Sequence, residues 1–143
     1  MSVSGDAAPN STASDIVPEG WPRGVGYAHA IAARGRIVSV AGQVGWDPRT
    51  RAWHHRDLPG QTAQALRNIV EIVGAAGGKH NDIVRLTWFL TDRDQYIAAR
   101  REIGDVYRAL FGRHYPAMSV VVVSGLIEPE ALVEIEATAV VPD

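Results

Sequence analysis

The 143-residue chain contains no cysteine. That absence excludes a disulfide scaffold, a thiolate metal centre and a cysteine nucleophile together. No apolar run approaches the roughly 20 residues that a membrane-spanning helix needs. Charge of one sign is missing too: the formal net charge is −2, and Lys and Arg gather into no basic arm. Nucleic-acid binding leans on neutralising phosphates, so no nucleic acid is expected as a partner. The first residues lack the basic and apolar regions of a secretory signal. A soluble, cytoplasmic protein of one domain is expected, too short for two and long enough to bury a core.

What is present divides into a short leader and a patterned body. Residues 1–17 are rich in Ser, Ala, Asp, Asn and Pro and read as a flexible tail. The body, 18–143, opens with two strands, Tyr27 to Ala33 and Arg36 to Gly42, joined at Arg34-Gly35 as a hairpin. A polar loop with Trp46, Trp53, His54 and His55 follows. From Gln61 the spacing turns helical, with Ala65, Ile69, Ile72, Val73 and Ala76 on one stripe and Gly77-Gly78 as the stop. Asp82 to Leu90 reads as a strand. Asp92 caps a second helix, with Tyr96, Ile103, Tyr107 and Leu110 on one face, ending near Gly112. Ser119 to Val123 and Leu132 to Val141 are the last strands.

Two helices cover only one face of such a sheet. Yet Val120 to Val123, and Ile83, Val84, Leu86, Trp88 and Phe89, offer apolar side chains to both faces. Self-association would bury the second face, so an obligate oligomer is expected.

Several chemistries lack their parts. His54-His55 are adjacent and point apart in an extended loop, with no third ligand at metal spacing, so no metal is expected. Ser119, Ser124 and Thr91 have no His–Asp companions. Gly24-Val25-Gly26 is too short for a dinucleotide loop, and no cofactor is expected. Glu134 and Glu136, two apart in a strand, face the same way. Arg85 is expected to pair with a carboxylate.

A set of landmarks runs through Tyr27, Ser39-Val40-Ala41-Gly42-Gln43, Gln61 through Asn68-Ile69, Ala75-Ala76-Gly77 and Asp82 to Arg85. It continues through Thr91-Asp92, Tyr107 with Phe111, Pro116-Ala117 and Glu134 to Ala137. In order and spacing they resemble the Rid (YjgF) family over nearly all of Val25 to Val141. The resemblance implies an α/β (α+β) chorismate-mutase-like fold: a mixed sheet with two helices on one face, in a homotrimer with a central barrel. It also implies three clefts between neighbouring subunits, where a small-molecule enamine or imine is hydrolysed to a carbonyl product and ammonia.

Carried over residue by residue, Glu134 matches the carboxylate that activates water. Deaminating members have an arginine after Pro-Ala that grips the substrate carboxylate, and here that residue is Met118. Gly104 stands where they usually carry Asn, and Gly26 where Pro usually precedes Tyr27. The expected pocket is therefore more apolar, suited to a neutral, bulkier or esterified substrate. Tyr27, Trp46, Met118 and His114 would shape it, His114 and Arg113 at its rim, with main-chain groups near Gly42 and Val120 bonding the ligand. Trp46 would cover a planar ligand or pack at a subunit contact. The alternative expectation is a non-catalytic trimer that binds a metabolite or a protein partner in the same clefts.

Overall fold

The computed structural model describes residues 13–143. Its elements are β1 (Ser14–Ile16), β2 (Ala30–Ala32), β3 (Arg36–Val44), α1 (Leu58–Ala75), β4 (Ile83–Leu90), α2 (Arg93–Phe111), β5 (Ala117–Val122) and β6 (Val133–Val141). A single 3-10 turn, His80–Asp82, leads into β4. The main sheet runs β3-β6-β4-β5, and only the β4/β5 pair is parallel. That pair is joined through α2, the kind of crossover that parallel neighbours require.

Alternation along β6 sets the two faces. Val133, Ile135, Ala137, Ala139 and Val141 are buried, while Glu134, Glu136 and Thr138 look the other way. The buried row meets Leu86, Trp88 and Leu90 of β4, Leu66, Ile69 and Val73 of α1, and Ile103, Tyr107 and Phe111 of α2 in one core. Full burial of one such aliphatic side chain contributes about 1.5–3 kcal/mol. The opposite face has no layer of its own. There Ile37 is 77% exposed and Val121, aligned with Phe89, 42% exposed, while Val120 and Val122, aligned with the core residues Trp88 and Leu90, are half-exposed because β5 is the sheet edge. This is the uncovered apolar surface that the strand composition implies.

The helix ends follow their local chemistry. The Asp92 carboxylate accepts the Gln95 N–H at 3.0 Å, and Gly112, at φ 59°, closes α2. Gly77, at φ 86°, stops α1. The start of α1 is earlier than the spacing from Gln61 suggests. Asp57 accepts the Gly60 N–H at 3.1 Å and caps a first turn that contains Pro59. A proline there loses no helical hydrogen bond, because the first N–H groups have no partner anyway. Ile72, assigned to the apolar stripe by spacing, is 38% exposed and lies beside it.

Two further expectations need correction. The tail expected over 1–17 ends earlier: Ser14–Ile16 pairs with Ala30–Ala32 and Val17 is buried, while residues 1–12 lie outside the described residues. The hairpin expected across Arg34-Gly35 does not form. Gly35 packs on the end of β6, where an added Cβ would meet the Val141 carbonyl oxygen at 2.2 Å. The chain therefore turns at Gly35 onto β6, and β2 is left to pair with β1.

Candidate active site

At the β3 edge, strand pairing skips one residue between Val40 and Gln43, so Ala41-Gly42 bulges against β6. The bulge brings the Gly42 backbone under the Glu134 side chain. A Cβ at Gly42 would lie 2.8 Å from Glu134 Cδ and 3.0 Å from its Oε2. Glycine is thus required for the carboxylate to rest where it does. Glu134 is half-buried and pairs with Val44 on one side and Phe89 on the other.

Two fully buried amides fix this edge. Gln61 donates to the carbonyls of Glu130 (3.0 Å) and His55 (3.3 Å) and accepts the Leu132 N–H (2.8 Å). Asn68 donates to the carbonyls of Trp46 (3.0 Å) and Val44 (3.3 Å) and accepts from Gln64 (2.8 Å). Together they tie α1 to the chain on both sides of Glu134, leading into β6 and leaving β3. Sequence reasoning used them only as landmarks. A signal was available: both are polar at helical spacing with the buried Ala65 and Ile69. Beyond Val44, Trp46 leans on Trp53 with ring centroids 5.7 Å apart. The Arg51 guanidinium lies 5.4 Å over the Trp46 ring, and Arg51 itself holds φ at 59°.

At the β5 edge the means are aromatic. Tyr107 stacks between Phe111 (4.8 Å) and Tyr115 (5.4 Å), and its hydroxyl donates to the His114 carbonyl at 2.6 Å. Burial, and Tyr115 alongside, push the Tyr107 hydroxyl far above its ordinary range, so it remains a donor. The His114 ring donates from Nε2 to the Ile83 carbonyl at 2.7 Å, and burial lowers its pKa against a smaller raising effect of that bond. The chain then enters β5, where the Ala28 N–H donates to the Pro116 carbonyl at 3.0 Å and Ala28 bridges Ala117. Tyr27 is thereby held beside the entry into β5, level with Pro116.

The expected site residues thus divide. Gly42 and Trp46 belong to the β3 edge and Glu134 to β6 beside it; Tyr27, Met118 and Val120 belong to the β5 edge. Met118 aligns with Leu86 and packs against the core, whereas Glu134 aligns with Phe89 on the opposite face of the sheet. The two levels are three residues apart on β4, about 10 Å along the strand. Within one protomer they do not converge.

Within one protomer His114 lies far from Glu134. Ile83, which it grips, is six residues from Phe89 on β4, about 20 Å along the strand. Its ring is an anchor for the entry into β5. Arg113 is exposed beside it. Arg85 is exposed on the open face and forms no ion pair among the described residues, contrary to the pairing expected for it. It lines a shallow depression of about 160 Å³ with Ser39, Thr87, Glu136 and Thr138. His54 faces Asp47 at 3.8 Å, while His55 packs over Gly60. Among the described residues no three His, Asp or Glu side chains gather at metal-binding distance. No helix there is long and apolar enough to cross a membrane.

Known proteins are similar to this chain in sequence and fold. The family model described as endoribonuclease L-PSP matches residues 22–141. A RutC family protein of Pyrococcus horikoshii is 38% identical over 125 residues, which cover 87% of this chain and 94% of that protein. The 2-iminobutanoate/2-iminopropanoate deaminase of Salmonella typhimurium is 36% identical over 129 residues, covering 87% and 95% respectively. Among solved structures, the Rid-family protein YyfB of Yersinia pestis, of unknown function, superposes with a TM-score of 0.80 at 33% identity. That match covers 91% of this chain and 99% of YyfB.

Proposed function

Because the chain belongs to the Rid (YjgF) family, we propose that it hydrolyses a small enamine or imine, or a closely related electrophile, in clefts between the subunits of a homotrimer. The observation that supports this reading is the division of the candidate residues between the β3/β6 side of one sheet and its β5 edge, on opposite faces. Neither edge is a site alone. A head-to-tail interface joins unlike edges, and when its rotation closes it gives a ring with one composite cleft per subunit boundary.

In such a cleft Glu134 would take a proton from water as the water oxygen bonds to the C=N carbon. The nitrogen, gaining protons, leaves as ammonia when the C–N bond breaks, and a carbonyl product remains. An enamine would first accept a proton on carbon to become the imine. The relative from Salmonella typhimurium is named for imino acids. Met118 argues for a different substrate here. A thioether has no N–H groups and cannot form the two-pronged contact that a guanidinium makes with a carboxylate. The substrate we assign therefore carries a masked carboxylate or none.

The test is hydrolysis of freshly generated imines, free-acid and esterified, followed by ammonia and carbonyl release. Turnover of the uncharged members, lost in Glu134→Ala with the fold retained, is the expected result. Turnover confined to free imino acids would overturn the substrate assignment. The same methionine favours one alternative, a trimer that binds a metabolite or protein partner without chemistry. Absence of turnover on every member would select it.

A further inference from the structure

The segment from Pro18 to His29 is built around three rings. His29 donates from Nε2 to the Pro22 carbonyl at 2.9 Å, which folds the segment back on itself. Trp21 and Tyr27 each meet the His29 ring edge-on, at 5.3 and 5.4 Å and nearly perpendicular. The glycines make this possible. Gly24 leaves the space into which the Tyr27 ring fits, where a Cβ would come within 2.8 Å of it, and Gly26 turns the chain at φ 75°. The Trp21 N–H is fixed by the Pro18 carbonyl at 3.0 Å.

The result is a braced aromatic surface that is not used up in the core. Trp21 is 58% exposed and Tyr27 41% exposed. The segment's one Lys or Arg, Arg23, is engaged by Asp15 at 3.3 Å. Through the Ala28–Pro116 bond the surface adjoins the start of β5, where Val120 adds an exposed apolar side chain and Met118, packed on the core, leaves its thioether only partly accessible. Exposed ring faces favour stacking on a planar group, and sulfur against an aromatic edge adds to it.

We propose that Trp21 is a wall of the substrate cleft and selects for a planar, aromatic substituent on the substrate. This rests on the reading that Tyr27 and Met118 line that cleft. Trp21 supplies the contact surface, and His29 holds its ring at a fixed angle to Tyr27.

Calorimetric titration of the intact oligomer with two stable carbonyl compounds, methyl phenylpyruvate and methyl pyruvate, tests it without needing turnover. The wild-type protein should bind the aromatic ester at least about 10-fold more tightly, a difference of roughly 1.4 kcal/mol. Trp21→Ala should remove most of that preference, and Trp21→Phe, which keeps a ring, should retain most of it. A wild type with no preference, or a Trp21→Ala protein that keeps it, overturns the proposal. So does a Trp21→Ala variant that loses its oligomeric state in sedimentation while binding both esters as before, since Trp21 would then be a packing residue. Absence of imine turnover with this preference intact would count against the hydrolase reading and leave the aromatic wall standing.

Discussion

The two edges of the sheet are held by different forces. At the β3 edge, buried amides do the work: every hydrogen-bonding arm of Gln61 and Asn68 reaches a backbone or side-chain partner with almost no exposure to solvent. At the β5 edge, stacked rings and one tyrosine hydroxyl set the entry, and the valines beyond it stand in solvent. Hydrogen bonds in a dry interior are directional and costly to leave unmade. Ring stacking accepts small displacements. The β3/β6 side, which carries the carboxylate, is therefore expected to be the more rigid, and the β5 edge, which carries Met118, the more adaptable. On the proposed function, the residue assigned to chemistry and the residue assigned to specificity are thus separated along one sheet.

The sharpest way to break this comparison is to change one residue on each edge. Glu134→Gln keeps the shape of the side chain and removes the base. Imine turnover should fall by about 100-fold to 10,000-fold, the usual range for a general base, with the thermal midpoint unmoved. Met118→Arg should do the reverse. It returns a guanidinium to the adaptable edge and should shift the ratio of kcat/KM toward free imino acids by about 10-fold, without raising activity on esters.

Stability should be equally unequal. Gln61→Leu fills a similar volume but leaves the partly buried Leu132 N–H and Glu130 carbonyl without their side-chain partner. At about 1–3 kcal/mol for each unmet group, a loss of about 3 kcal/mol is expected in chemical denaturation. Tyr107→Phe removes a single bond at the other edge, to the His114 carbonyl, and leaves the stack. It should cost about 1 kcal/mol. Comparable losses from both variants would argue against a rigid and an adaptable half.

Neighbouring glycines refine the picture within the β3 edge. A Cβ on Gly42 collides with the movable end of Glu134, whereas one on Gly45 meets Gln61 Cα and carbonyl oxygen at 2.6 and 2.8 Å. Gly42→Ala should thus displace the carboxylate and lower turnover about 10-fold or more with little change in stability, if the Glu134 position matters for water activation. Gly45→Ala should push helix and strand apart and destabilise by about 1–3 kcal/mol, as overpacking does. The two readouts, activity and melting, should separate cleanly between them.

Much of this was legible before the fold was known, and the failures have physical reasons. The cap at Asp92, the stops at Gly77 and Gly112, and the shared face of Glu134 and Glu136 rest on local geometry, which sequence spacing reports directly. The β2–β3 hairpin failed because a turn signal says that the chain reverses, not which strand it reverses onto. Gly35 packs against Val141, at the far end of the sequence. Ser14–Ile16 was missed for the same reason, since three residues carry no pattern until their partner strand is known. His114 was assigned to the cleft rim by its closeness in sequence to Met118. Within the protomer its ring instead bonds the Ile83 carbonyl, a contact that sequence closeness does not report.

The smallest expected effect concerns that ring. Ile83 offers a carbonyl, which only accepts, so His114 must carry its proton on Nε2; the Tyr107 hydroxyl bonds the His114 carbonyl, and His80 and Asp82 face the ring from the turn before β4. Burial and His80 disfavour a second proton, while Asp82 and the Ile83 bond partly favour it, and burial leads. The folded chain therefore resists protonation at a pH where the unfolded chain, titrating near 6.5, accepts it. Above that value His114 adds no pH dependence. As pH falls below it, the unfolded state gains the proton first and stability declines until the folded-state pKa is reached. Denaturation midpoints taken between pH 8 and pH 5 should drop more in the wild type than in His114→Gln, which keeps an N–H donor and cannot titrate. Equal slopes in the two proteins would mean that the β5 edge is anchored by its rings alone, and that the adaptable half of the sheet has no acid-sensitive hinge at its root.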